Sequence, residues 1–322
     1  MITRKIPGLI GTALLFSIAF TSCKKDDINS GSASTDIKLT TDIKLTDAAI
    51  DDASVSGAFV TITDIKLDGQ SVEGFNKTTV NVAAFQNGAT KTLGNFNLKG
   101  KSYSSITFML DLDADANGAA PGCYVLTTNG TKHKLQTSSN SITVAKDFSL
   151  QSNSSNSIVA DFDLRKMIMH QSGNVSDQFE FVTAAELQSS IRVLVENQTG
   201  TVSGNLSDNL SGSAKVVAYA YKKGTFNRST EIQGQGSSSV EFKNAVTSAV
   251  VGSTGAYELH FLEAGEYEIH FASYKDTNAD GQLELKGTLV VTNSAGLDLL
   301  GLTVNSNTNL TVNATATGVL TL

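Results

Sequence analysis

Tryptophan is absent from the 322 residues, while cysteine and proline occur twice each and histidine four times. Two cysteines exclude a disulfide framework, so stability has to come from packed cores. Together with four histidines, they also leave little material for a metal-hydrolase or thiol site. Charged residues make up 17% of the chain, below the roughly 25% of an average soluble domain. That deficit does not suit helical bundles or coiled coils. Basic charge is scarcer still, with 24 Lys and Arg against 31 Asp and Glu and a net of −7. No basic surface is therefore available to neutralise phosphates, and nucleic acid is excluded as a partner. G-x-S-x-G, H-E-x-x-H and P-loop patterns are all missing, and no Ser/His/Asp set is suggested by spacing, so an enzyme is not expected. What is plentiful is β-branched and small polar residues with 27 Gly, a composition of strands and turns. The length suits two domains.

The first residues read as an address. Arg4 and Lys5 precede an apolar run over 9–20 that is short for a membrane span and ends in small residues, the pattern of a secretory signal over 1–22. Phe20-Thr21-Ser22-Cys23 resembles the lipobox of bacterial lipoproteins, which implies cleavage before Cys23 and its acylation, palmitate included. Two or three acyl chains, at about 0.8 kcal/mol per buried methylene, make a durable anchor without a spanning helix. Lys24-Lys25-Asp26-Asp27 resembles the surface-export signal of Bacteroidota lipoproteins, implying the cell-surface side of the outer membrane. Residues 23–35 then form a lipidated Cys and flexible tether. Loss of 1–22 leaves 22 basic against 31 acidic residues, a net of −9. With Cys23 acylated, Cys123 has no cysteine to pair with.

From Asp36 onward two-residue alternation predicts antiparallel strands, and the fold class is all-β: two antiparallel β-sandwich domains, 36–196 and 197–322. D-I-K-L occurs at 36–39, 42–45 and 64–67. The adjacent copies suggest a duplicated strand, the first of them tether. Further strands are expected at 58–62, 104–110, 124–127, 132–136, 141–144 and 157–164, with a short helix at 80–85. Leu45-Thr46-Asp47-Ala48, the strand ending in Asp64-Ile65, Gly100-Lys101-Ser102-Tyr103, Thr128-Asn129-Gly130-Thr131-Lys132-His133 and Ile158-Val159-Ala160-Asp161-Phe162-Asp163-Leu164-Arg165-Lys166 together resemble the domain of unknown function DUF4382 over about 37–195. The resemblance implies a β-rich envelope domain without an established activity. Asp161 and Asp163 lie two apart on one strand face with Arg165 as a ready counter-charge. They read as a solvated strand face rather than a catalytic pair.

In the second half, Thr199-Gly200-Thr201-Val202-Ser203-Gly204 opens a strand, the next runs over 214–219, and a Ser/Gly-rich loop follows at 233–239. Residues 255–271 carry G-x-Y-x-L-x-x-L-x-A-G-x-Y-x-I. With the 199–204 strand this resembles the carboxypeptidase-regulatory-like, transthyretin-type β-sandwich, which implies a structural or adhesive module. Alternation predicts a hairpin through 263–266. It places Tyr257, Leu259 and Phe261 with Tyr267, Ile269 and Phe271 on the core face. Glu258, His260, Glu268 and His270 then line the other face, read as a titratable surface rather than a zinc site. Asp276, Asn278, Asp280, Gln282 and Glu284 form the first part of an EF-hand-like calcium loop without the bidentate Glu, since Gly287 stands at position twelve. Asp113, Asp115 and Asn117 repeat the pattern without a downstream acid. Each is otherwise a polar turn. The tail, 297–322, reads as one or two final strands.

The expected function is that of a non-enzymatic, surface-anchored lipoprotein in the outer membrane, binding an extracellular glycan or surface protein or serving as envelope structure. The alternative is an accessory or anchor subunit of a transthyretin-like fimbria, for which the alternating tail is a candidate exchangeable strand.

Overall fold

The adjacent D-I-K-L copies make one strand, not two. In the computed structural model, which describes residues 37–48, 52, 54–152, 155–171, 178–208, 212–277, 283–293 and 298–322, a single strand Lys38–Ala48 runs from the end of the first copy through the second. Leu39, Ile43 and Leu45 keep the same parity, and the intervening Thr40-Thr41 supplies β-branched residues instead of a breaker, so the pleat continues. This strand pairs antiparallel with Lys91–Lys99 and parallel with Asn156–Asp163, which in turn pairs antiparallel with Ile191–Val195. A parallel pair needs a long crossover, and here the crossover contains a whole second sheet.

That sheet is centred on Val55–Leu67, flanked by Ser102–Leu110 and Ser141–Ser149 on one side and by Tyr124–Thr127 and Lys132–Lys134 on the other. The two sheets face each other across one core. Ile43, Leu45 and Phe162 meet Ile62, Ile65 and Phe108, and the Phe108 and Phe162 rings touch edge to face at 5.2 Å. The expected helix at 80–85 is a single 3-10 turn, Val82–Ala84, preceded by a short strand Thr78–Asn81.

A larger sheet follows in the order Thr247–Val250, Lys215–Lys222, Gly265–Lys275, Glu284–Asn293, Ala314–Thr321, Thr199–Ser207, Ala256–Glu263. It wraps around its own core, where Val202, Leu259 and Leu262 meet Tyr267, Ile269 and Phe271. The molecule is thus all-β, built as sandwiches, and Asp36–Leu322 pack as one compact unit.

Three expectations are corrected here. Ala256–Glu263 and Gly265–Lys275 are consecutive but do not form a hairpin: the first pairs with Thr199–Ser207 and the second with Lys215–Lys222 and Glu284–Asn293. Ala256–Glu263 lays one face on the core, whereas Gly265–Lys275 is buried on both faces, with Tyr267, Ile269 and Phe271 on that same core and Ala272 and Tyr274 under the outer segment 223–246. Phe261 leaves the core face. Its φ is +55° and the ladder shifts register opposite it, so Leu262 fills the core and Phe261 is only half-buried. The tail yields three strands, Leu302–Val304, Asn309–Thr311 and Ala314–Thr321, because its alternation is interrupted by the polar turn around Asn305–Thr308.

Two pieces had no periodic signature. A short helix, Ala184–Ser189, is capped by Thr183, whose Oγ1 accepts the Glu186 N–H. The segment 223–246 folds over the outer face of the larger sheet, where Phe226, Ile232 and Phe242 cover Tyr219, Tyr221 and Tyr274. Glu231 anchors this segment while buried, accepting from Tyr221 Oη at 2.8 Å and from the Asn244 side chain at 2.5 Å.

Candidate functional site

The polar face of Asn156–Asp163 is not solvated: every residue of the strand is buried. Asp161 is 3% and Asp163 4% exposed, because the larger sheet and the 223–246 segment cover the face that alternation assigns to water. The parallel register sets Thr46 beside Asp161 and Ala48 beside Asp163, and the antiparallel neighbour sets Arg192 opposite Asp161. The short motifs Thr46-Asp47 and Asp161-Phe162-Asp163-Leu164-Arg165-Lys166, more than 100 positions apart in the chain, thereby converge on one cluster.

Each ion pair in the cluster also reaches across the seam between residues up to 196 and those from 199. Arg192 donates through Nε to Asp161 Oδ2 at 3.1 Å and through Nη2 to the same oxygen, while its Nη1 donates to the Phe261 carbonyl at 3.0 Å. The bulge at Phe261 explains that contact, since a positive φ turns its carbonyl out of the ladder and toward the guanidinium. Arg165 pairs with Asp163 at 3.2 Å and donates to the carbonyls of Glu241 and Phe242. Phe242, fully buried, is another residue in the left-handed region, with φ +48°. Lys166 pairs with Asp163 at 3.1 Å and donates to the Ala245 carbonyl. Glu186 continues the seam, accepting from Ser238 Oγ at 2.6 Å and pairing with Lys243 at 3.2 Å.

The environment divides the acids. Burial, reinforced by the charges of Asp161 and Asp163, pushes Asp47 well above the ordinary carboxylate value, against the Leu164 N–H that donates to it. Burial also acts to raise Asp163, but the Arg165 and Lys166 charges prevail and hold it below the ordinary value. For Glu186, burial is outweighed by hydrogen bonds from Ser238, Thr183 and Lys243, which bring it to about 2. Lys166, buried, is lowered by desolvation despite Asp163. One oxygen each of Asp161 and Asp163 and the Ser248 hydroxyl are buried without a hydrogen-bond partner. A cavity of about 10 Å³, the size of one water, lies between Asp161, Ser248 and His260.

Arg165 is thus a counter-charge to Asp163, as the spacing suggested, but the face is a buried joint. Arg192, Glu186 and the 241–245 backbone carbonyls were not singled out from the sequence. Only the cross-strand register of Arg192 and the T-x-x-E capping pattern at 183–186 were available to find them.

Of the other candidates, Glu258 and His260 border the small cavity beside Asp161, and the rest lie apart from the cluster. Glu258 pairs with His260 at 2.9 Å. His270 lies 3.6 Å from Glu268, stacks on Phe226 at 3.7 Å and is lowered by burial against the pull of Glu268. The four residues thus form two pairs on strands that do not pair with each other, not one site. Cys123 is fully buried, its thiol pushed up to about 11 by desolvation. At the first acidic loop, Asp115 Oδ1 accepts the N–H groups of Asn117 and Ala119, both at 2.8 Å, and Asp113 pairs with Lys134 at 2.6 Å. At the second, Glu284 Oε2 accepts from the Thr277 N–H and hydroxyl at 2.7 and 2.8 Å. Asn278, Asp280 and Gln282 lie outside the described residues, as do Cys23 and the whole 1–36 segment. Among the described residues, no group of three or more His, Cys, Asp or Glu is placed to hold a metal ion, and no helix is long and apolar enough to cross a membrane.

Residues 39–181 match the family model described as Domain of unknown function (DUF4382), so the chain carries a domain of that kind. No curated protein matches the chain. Among solved structures it is similar to the TIE protein of Bacillus anthracis, at 11% identity and TM-score 0.19, over 86% of this chain and 34% of that one. It is also similar to the minor pilin GBS52 of Streptococcus agalactiae, at 12% identity and TM-score 0.21, over 88% and 98% of the two chains. The fimbrial anchor protein Mfa2 from Porphyromonas gingivalis gives 8% identity and TM-score 0.22, over 86% and 91%. The chain spans about a third of the length of the TIE protein.

Proposed function

We propose that this chain is a non-enzymatic, surface-anchored lipoprotein whose all-β body binds an extracellular glycan or protein ligand or serves as envelope structure. The observation that carries the reading is Phe20-Thr21-Ser22-Cys23, placed at the end of an apolar signal-like run and shortly before the first strand at Lys38. A lipid on Cys23 would place the body outside an outer membrane without a spanning helix. The acid cluster adds support. Asp161 and Asp163 are held by Arg192, Arg165 and Lys166, which also grip backbone carbonyls of the other half. Paired in this way the acids join two halves of the body, a mechanical task and not acid/base work. The calcium reading of 276–284 rests on its sequence pattern and stands as part of this proposal.

The test is Cys23→Ala expressed in the native host with radiolabelled palmitate. Loss of label and release from the membrane fraction are expected, with wild-type protein accessible to protease on intact cells. Retention and labelling of the variant would overturn the anchoring. The fimbrial alternative needs a strand open to exchange. Here Ala314–Thr321 is already paired along its length with Glu284–Asn293.

A further inference from the structure

The seam encloses a cavity of about 430 Å³ lined by Lys166, Arg192, Lys222 and Lys243 together with Glu186 and Glu263. Four cations on one concavity are unusual in a chain whose net charge is −7. The ion pairs around it leave an excess of positive charge. Arg192 has Asp161, Lys243 has Glu186, and Lys146 takes Glu263 at 2.8 Å. Lys166 shares the single Asp163 with Arg165. Lys222 has no carboxylate within ion-pair distance among the described residues. Its ammonium donates to Tyr267 Oη at 2.6 Å and sits over that ring at 4.1 Å. Partial burial and the nearby Lys146 and Arg192 charges hold Lys222 below the usual lysine value, although Glu263 pulls the other way.

We infer that this cavity is a binding site for the carboxylate of an acidic sugar residue, with Lys222 as the principal charge partner. An ammonium without a counter-ion in a half-enclosed cavity gains most from an anion, because solvent screens the pair less there than on an open surface. Only one Lys222 donor is committed to the Tyr267 hydroxyl, and two remain for a carboxylate. The volume falls in the range of small-ligand pockets. Ala245 and Val246 give part of the wall an apolar character that suits the C–H face of a ring. Glu263 has a second carboxylate oxygen to accept from a ring hydroxyl, since Lys146 engages only Oε1. The site names a ligand class for the binding reading above and rests on it.

The experiment is calorimetric titration of the detergent-solubilised full chain with glucuronate, glucose and inorganic sulfate in 150 mM salt. Glucuronate is expected to bind at least tenfold more tightly than either control. Lys222→Met should lose at least tenfold in glucuronate affinity at an unchanged melting midpoint, and Lys222→Arg should retain most of it. Equal affinities for glucuronate and glucose, undiminished binding by Lys222→Met, or no glucuronate binding up to 20 mM would each overturn the site. Sulfate binding as tightly as glucuronate would overturn the sugar assignment. If the site fails while Cys23 still controls membrane retention, the surface reading stands and the cavity assignment alone falls.

Discussion

Two groups of three aspartates behave in opposite ways in this molecule. In the loop at 111–115, Asp111 Oδ1 accepts the N–H groups of Asp113 and Ala114, and Lys77 lies 2.7 Å from its other oxygen. Those contacts bring its pKa to about 2, and Asp115 is lowered by the Ala119 N–H. In the seam, Asp47, Asp161 and Asp163 are almost wholly enclosed: Asp161 takes Arg192 from the neighbouring strand, Asp47 takes the Leu164 N–H, and Asp163 pairs with Arg165 and Lys166 just after it in the chain. The loop acids stabilise a turn by local bonds that any solvent-facing Asp can make. The seam acids are held in place by buried pairs and are costly when those pairs are broken.

The largest contrast should come from removing one acid of each kind. Asp161→Ala leaves Arg192 facing the seam without its carboxylate, and a loss of about 3 kcal/mol is expected. Urea unfolding at neutral pH measures it. Asp111→Ala should move the urea midpoint much less, because water screens its pairing. Equal losses would erase the distinction.

The pH dependence sharpens it next. Asp47 is raised in the folded state, so the native protein binds a proton that the unfolded chain releases near the ordinary value of 3.8. Stability from this group is therefore full below that value and declines as pH rises toward the native one. Asp163 is lowered, so its contribution is present above the ordinary value and disappears as pH falls through the native one. Asp47→Asn should unfold at higher urea than wild type at pH 7 and converge with it at pH 3. A variant weaker than wild type at both pH values would contradict the assignment.

The smallest effect concerns the two acidic loops. With a dissociation constant near 0.5 mM, 5 mM calcium stabilises by about 1.4 kcal/mol. A rise of the melting midpoint with calcium, abolished by Asp276→Ala and untouched by Asp115→Ala, is expected. The Asp115 Oδ1 already serves two backbone N–H groups. An unchanged wild-type midpoint would leave 276–284 a plain polar hairpin.

Strand positions were legible where alternation is local. Tyr124–Thr127 is as expected, 58–62, 104–110 and 141–144 fall on observed strands, and the strand expected at 157–164 ends at Asp163, where a short helix, Leu164–Met167, begins. Pairing was not legible. Consecutive strands with matching periodicity, 256–263 and 265–275, look like a hairpin, yet a two-residue period says nothing about which neighbour a strand will take. The bulge at Phe261 depends on one backbone angle that a period cannot express. The seam was missed for the same reason. Asp161 and Asp163 occupy the face that alternation assigns to water, and only the arrival of the larger sheet and of 223–246, an aperiodic segment, converts that face into an interior. Lys222 was hidden likewise, since its missing counter-ion is visible only when Asp163, Glu186 and Glu263 are seen to be taken.

The strand Lys38–Ala48 has a mechanical consequence. It is the point of entry of the chain into its sheet, and it is hydrogen-bonded along both sides, to Lys91–Lys99 and to Asn156–Asp163. A pull on the segment before Lys38, opposed by something gripped elsewhere on the body, runs along the strand axis. Both ladders then bear the force together in shear, and no bond is peeled ahead of the rest. The geometry makes Lys38–Ala48 one of the hardest places to begin unravelling the protein by force.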